Sequence, residues 1–166
     1  MVILLMGVSG SGKTAIGQLL ASQLGWQFAD ADDYHPAANI EKMQNGIPLT
    51  DSERAPWLEA LRARIAGWIA GKKNAVLACS ALKLAYRQSL LLAPEVQIVY
   101  LKATPQLLQQ RLRERVGHFM KEGMLESQLA TLEEPEGAGA VVVDAARSPA
   151  EIVAKIVAEI QNAGWR

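Results

Sequence analysis

Cysteine is almost missing from this chain. Cys79 stands alone among 166 residues, so no disulfide can form within it. That suits a reducing compartment, and a cytoplasmic location is the expectation. An excess of charge is also missing: Lys plus Arg number 17 and Asp plus Glu number 17. Duplex-binding proteins usually carry a basic surplus, so nucleic acid is not an expected partner. No apolar run reaches the roughly 18 residues of a membrane helix. The apolar start, Met1 to Met6, is broken at Gly7 and has no basic flank, so neither a leader nor a membrane partner is expected. Aromatic residues make up 5% of the chain. Trp26, Trp57, Trp68 and Trp165 are scattered with no basic patch between them, which favours core or interface over a base-stacking surface.

What is present is ordinary globular composition, half apolar and a fifth charged. The length fits one domain, residues 1–166, with a sizeable core. There is no internal repeat, low-complexity tract or linker. Val2 to Met6 is an unbroken apolar run, as in a strand buried on both faces. Further strands are expected at Trp26–Ala29, Ala75–Cys79, Val96–Leu101 and Ala140–Val143. Helical spacing runs from Lys13 to Leu24, with Gly25 as its stop. Helices are also expected at Pro36–Met43, from Thr50 to Gly71, at Leu82–Leu92, after Thr104-Pro105, and from Ser148-Pro149 to about Asn162. Residues 117–139 hold four glycines and Pro135 without a clear period, and read as a mobile segment. Strands alternating with helices imply an α/β fold, a parallel sheet with helices on both faces. Two insertions, near 33–56 and 116–136, are where function is expected.

Gly7-Val8-Ser9-Gly10-Ser11-Gly12-Lys13-Thr14 satisfies G-x-x-x-x-G-K-[ST] at every fixed position, between a strand and a helix. Phosphate oxygens are held best by converging backbone N–H groups, and glycines leave them room. The helix that follows offers its free N–H groups and positive end. Lys13 is placed to reach the β- and γ-phosphates, and Thr14 to offer its hydroxyl to Mg²⁺. Gly7, Ser9, Gly10, Ser11, Gly12, Lys13 and Thr14 are therefore the candidate ATP-binding loop. No N-K-x-D base-reading motif is present, and no aspartate ends the third strand. A switch GTPase or motor ATPase is thereby disfavoured, and a small-molecule kinase fits the length.

The acidic segment Asp30-Ala31-Asp32-Asp33 follows the second strand, where parallel α/β sheets bind ligands. A carboxylate there can orient an attacking hydroxyl and take its proton. Asp32 is the first choice, with Asp30 second; Asp32 could also reach Mg²⁺ through water. The competing reading is a solvated loop or helix cap.

The chain then resembles the gluconate kinase family, block by block. Asp30-Ala31-Asp32, His35-Pro36 and Asn39-Ile40-Glu41-Lys42-Met43 match its D-G-D-x-x-H-P-x-x-N-I-x-K-M block. Gly46-Ile47-Pro48-Leu49-Thr50-Asp51, Arg54 and Pro56-Trp57-Leu58 continue it. Cys79-Ser80-Ala81-Leu82-Lys83 with Tyr86-Arg87 matches the C-S-A-L-K-x-x-Y-R block. Arg111, Arg115, Gly117-His118-Phe119 and Leu132-Glu133-x-Pro135 match its lid segment. Ala31 departs from the family glycine, and a positive φ there would strain alanine.

This resemblance implies a fold like those of nucleoside monophosphate and shikimate kinases: a five-stranded parallel sheet, an acceptor-binding insertion and a lid. It implies transfer of the ATP γ-phosphate to D-gluconate, and it suggests a homodimer. Such an acceptor has a carboxylate at one end and a primary hydroxyl at the other. Arg54, Lys83 and Arg87 are the candidate cations for the carboxylate, each against a plain surface-ion-pair reading. Arg111 and Arg115, four residues apart, share a helix face and are expected to meet ATP phosphates on lid closure, with Arg115 catalytic beside Lys13 and Asp32. His118 and His35 are candidate substrate contacts; His35 before Pro36 serves equally as a turn residue. Arg147, in the Asp144–Ser148 loop, borders the adenine by analogy with related kinases. Two other readings stay open: a kinase for another acceptor such as shikimate or a nucleoside monophosphate, and a nucleotide-binding module without catalysis.

Overall fold

The computed structural model describes residues 1–114, 122–135 and 139–162. Its centre is a five-stranded, wholly parallel sheet in the order β2-β3-β1-β4-β5. The strands are β1 (Val2–Met6), β2 (Gln27–Asp30), β3 (Ala75–Cys79), β4 (Val96–Lys102) and β5 (Val141–Asp144). The helices are α1 (Lys13–Leu24), α2 (Ala37–Gln44), α3 (Asp51–Ala70), α4 (Leu84–Leu90), α5 (Pro105–Glu114), α6 (Glu122–Thr131) and α7 (Pro149–Asn162). No described helix is long and apolar enough to cross a membrane.

β1 is apolar throughout because both its faces are covered. Val2, Leu4 and Met6 pack with Trp57, Leu61 and Ile65 of α3 and Leu90 of α4. Ile3 and Leu5 point the other way, against Ile16 and Leu20 of α1 and Ile152 and Ile156 of α7. α1 and α3 therefore lie on opposite faces. The carboxyl ends of β1 and β3, neighbours whose following helices take different faces, open a crevice of the kind where α/β sheets bind ligands.

Element ends follow local chemistry. Thr50 caps α3 with a full capping box: its hydroxyl accepts from the Glu53 N–H at 3.3 Å, and the Glu53 carboxylate accepts from the Thr50 N–H at 2.8 Å. α4 starts at Leu84, two residues later than the periodicity implies. Ala81 has a φ of 44° and Lys83 is extended, so the chain cannot turn helical before then. Ala31 opens a single 3-10 turn, Ala31–Tyr34, and is not among the positive-φ residues, so the strain considered for it does not arise. The largest departure from the sequence reading is α6, a ten-residue helix inside the stretch read as irregular.

Candidate functional site

The loop after β1 has the geometry its motif demands. Gly10 and Gly12 have φ values of 86° and 98°, which L side chains rarely adopt. A Cβ on Gly7 would lie 2.6 Å from Ser11 Oγ and 3.0 Å from the Leu101 carbonyl, so only glycine fits. Gly12 is the N-cap of α1, and no side chain caps that end. The N–H groups of that first turn are the donors an anion would meet. Lys13 Nζ folds back to the Val8 carbonyl at 3.2 Å, within the loop. Ser11 Oγ is buried and has no hydrogen-bond partner. An orphaned hydroxyl in a cradle of backbone donors is a fit for phosphate oxygens.

The acidic segment is tied directly to that loop. Thr14 Oγ1 donates to Asp30 Oδ2 at 2.7 Å, and Asp30 Oδ1 accepts from the Asp32 N–H at 3.1 Å. A hydroxyl and a carboxylate oxygen in contact at the mouth of the loop are hard donors suited to Mg²⁺. Trp57 Nε1 donates to the Ala31 carbonyl at 2.7 Å, so α3 fixes the turn that carries Asp32.

A cavity opens beyond Lys13 and Asp32 and is lined also by His35, Arg54, Trp57, Tyr86 and the Ser80–Leu82 corner. The His35 ring stacks on Trp57, centroids 4.6 Å apart and planes within 4°. Burial, and then the neighbouring Arg54 charge, push its pKa from 6.5 to about 4, so the imidazole is neutral at physiological pH. Its Nδ1 is buried without a partner. Arg54 donates to the Tyr86 hydroxyl at 3.2 Å, and that hydroxyl donates to Asp51.

Two of the three expected acceptor cations are placed differently. Lys83 Nζ donates to both Asp51 oxygens at 2.8 Å and does not line the cavity. This contact holds the Lys83 pKa above its ordinary value and the Asp51 pKa below. Arg87 is buried, and its guanidinium donates to the carbonyls of Ala81 and Leu82 at 3.2 and 3.0 Å. It braces the positive-φ corner from behind instead of facing the cavity. Burial lowers its pKa from the usual range.

On the other flank of the loop, Arg111 donates to the Ala145 carbonyl at 2.7 Å and to the carbonyls of Gly10 and Ser11 at 3.4 Å. It stitches α5 to both the phosphate loop and the turn after β5. A second cavity there is bounded by Gly12, Ile16, Arg111, Arg147 and Pro149, so Arg147 does border the loop's outer side. Arg115 and His118 lie outside the described residues. Cys79, at the end of β3, is buried and its thiol is pushed up to about 12 by that burial, which leaves it inert.

Missed by sequence reasoning was one wall of this first cavity, formed by Met124, Ser127, Gln128 and Thr131 of α6. Gln128 Oε1 accepts from the Ser9 N–H of the phosphate loop at 2.7 Å. The signal that could have found it was the i, i+3, i+4, i+7 spacing of those four positions.

A family model described as an AAA domain matches residues 2–135, which include the glycine loop and the cavity beside it. Among curated proteins, the chain is 46% identical to a gluconokinase of Gluconobacter oxydans, over 80% of this chain and 75% of that one. It is 40% identical to the thermoresistant gluconokinase of Escherichia coli, over 97% and 94% of the two chains. The solved structure of a gluconokinase from Sinorhizobium meliloti superposes with a TM-score of 0.86 at 43% identity, covering 97% of this chain and 91% of that one. A shikimate kinase from Aquifex aeolicus, at 17% identity and a TM-score of 0.61, shares the fold. The matched length takes in the glycine loop, the Asp30–Asp32 turn and the cavity beside them, and the chain belongs to the gluconokinase family.

Proposed function

We infer that this protein transfers the γ-phosphate of ATP to the primary hydroxyl of D-gluconate, giving ADP and 6-phosphogluconate. The observation that carries the reading is one cavity with Lys13 and Asp32 at one side and Arg54 among its walls, beside a glycine loop that fits a triphosphate. Gluconate offers complementary chemistry: a hydroxyl to phosphorylate, a carboxylate to pair, and four further hydroxyls between.

The backbone N–H groups of Gly10 to Thr14 and the Lys13 ammonium would hold the β- and γ-phosphates. Thr14 and Asp30 would hold Mg²⁺, which when bound neutralises phosphate charge. Asp32 would orient the acceptor hydroxyl and accept its proton as the new O–P bond forms and the bond to the ADP oxygen breaks. Arg54 would pair the gluconate carboxylate. A substrate hydroxyl would satisfy the orphaned His35 Nδ1. A buried unpaired group of this kind costs roughly 1–3 kcal/mol, so substrate would relieve a penalty already present. Arg111 and Arg147 would flank the nucleotide. Lys83 and Arg87 would act behind the wall, Lys83 through Asp51 and Arg87 through the Ala81 corner.

The test is ADP release with Mg²⁺-ATP and D-gluconate, against shikimate, AMP and no acceptor. Gluconate-dependent turnover is expected. Turnover with shikimate or AMP instead would move the protein to another acceptor, and ATP binding without turnover would leave a non-catalytic module.

A further inference from the structure

The polar face of α6 is unusual for a packed helix. Three of its four cavity-lining positions, Ser127, Gln128 and Thr131, carry hydrogen-bonding side chains. Helix faces turned to a protein interior are normally apolar, because an unpaired polar group there is costly. The neighbouring face of the same helix is ordinary core: Leu125 and Leu129 pack with Leu108 and Leu112 of α5. The polar stripe is thus confined to the acceptor cavity. Gln128 is also the point where that wall meets the phosphate loop, through the 2.7 Å bond from the Ser9 N–H to its Oε1. This contact turns the amide oxygen to the loop, while Gln128 itself lines the cavity. Thr131 Oγ1 donates to the Ser127 carbonyl at 2.7 Å, which leaves its oxygen as an acceptor.

We propose that Gln128 is a positioning and specificity-determining residue that reads the hydroxyls of the acceptor chain. Anchored on the loop that holds the transferring phosphate, it sets the distance between that phosphate and the acceptor hydroxyls next to the reacting one. Ser127 and Thr131 extend the same polyol-reading wall. The proposal rests on the acceptor being an open-chain sugar acid, as inferred above. It adds that discrimination among such acids by hydroxyl configuration resides in α6, opposite in sequence to the Asp30–Arg54 region.

The experiment compares kcat/KM for D-gluconate with that for an aldonic acid epimeric at one hydroxyl. It uses the wild-type chain, Gln128→Met and Gln128→Glu, with KM for ATP measured alongside. Met keeps the length of the side chain and removes all hydrogen bonding. Glu keeps an oxygen for the Ser9 N–H and removes the donors. The expected result is a fall of roughly ten- to hundredfold in the gluconate-to-epimer ratio in both variants, whatever change in KM for ATP the loss of the Ser9 contact brings in Gln128→Met. If Gln128→Met fails to fold, as judged by its melting temperature, the ratio in Gln128→Glu decides. An unchanged ratio would overturn the proposal and leave Gln128 as a structural tie. So would an equal loss for both acids with a parallel rise in KM for ATP in Gln128→Met. Wild-type protein with no gluconate turnover removes the functional reading and this proposal with it. Wild-type turnover with an unchanged ratio removes the proposal alone.

Discussion

The phosphate loop and the acceptor cavity are neighbours built on opposite principles. The loop is made of main chain: eight consecutive residues, with φ values of 86° at Gly10 and 98° at Gly12 aiming N–H groups at one point. The cavity is made of side chains brought from the 3-10 turn, α2, α3, α4 and α6, spread between Ser9 and Thr131. A main-chain site depends on local backbone conformation and tolerates little change at its glycines. A side-chain site depends on how distant helices are held, so many of its determinants never touch the ligand. The loop should accordingly fail through direct losses, and the cavity through both direct losses and losses of support.

The largest effects are expected where the two regions meet. In the proposed roles, Lys13→Ala removes the cation that would meet the transferring phosphate, and Asp32→Ala the group that would orient the acceptor. Each should lower kcat by roughly 10²–10³-fold. Asp32→Ala should leave ATP binding, measured by calorimetry, nearly intact, because Asp32 belongs to the cavity side. Lys13→Ala should weaken it. Near-wild-type turnover in Asp32→Ala would break the assignment of roles. Arg54→Met comes next: the KM for gluconate should rise by roughly 10–100-fold with a much smaller change in KM for ATP. A parallel rise in both would mean that Arg54 supports the nucleotide side as well.

How legible each region was in the sequence follows from the same contrast. The loop could be read whole, because one contiguous motif encodes its conformation. All five strands and six of the seven helices were also legible, since β1 and β3 are uninterrupted apolar runs and caps such as Thr50–Glu53 mark helix starts. α6 was not. Its apolar residues do not form one stripe, because Met124 packs with Met43 and Leu49 on one side while Leu125 packs toward α5 on the other. Gly123 at its start and the glycines beyond it hid the rest. Among the candidate cations for an acceptor carboxylate, residue type alone could not separate Arg54 from Arg87. Arg54 faces the cavity, whereas Arg87 is used up on the carbonyls of Ala81 and Leu82. That distinction depends on the positive φ of Ala81, a conformation that alanine does not advertise.

His35 sharpens the comparison through pH. Its folded pKa of about 4 lies below the unfolded value of 6.5, so between these the unfolded chain binds the extra proton. Stability contributed by the neutral, stacked imidazole is complete above pH 6.5 and is lost progressively as pH falls toward 4. Thermal melts at pH 7, 6 and 5 should show this decline, and His35→Gln should flatten it over that interval. An equal decline in the variant would place the acid sensitivity elsewhere in the molecule.

The smallest effect tests whether support at a distance matters to the cavity. Thr50 lies outside the cavity lining, yet its capping box starts the helix that carries Arg54 one turn later and Trp57 behind His35. Glu53 is held by Lys42 of α2 and, to a smaller extent, by that cap, which together lower its pKa to about 2. Asn39 Nδ2 adds a 2.8 Å bond to the Glu53 carbonyl, so α2 and α3 are tied at several points. Thr50→Ala should therefore cost about 1 kcal/mol, a fall of roughly 2–4 °C in melting temperature. With those other ties intact, the KM for gluconate should change by less than about threefold and the KM for ATP not at all. A larger rise in gluconate KM alone would show that the cavity depends on the exact entry of α3, and that its weakest point is a cap no ligand touches.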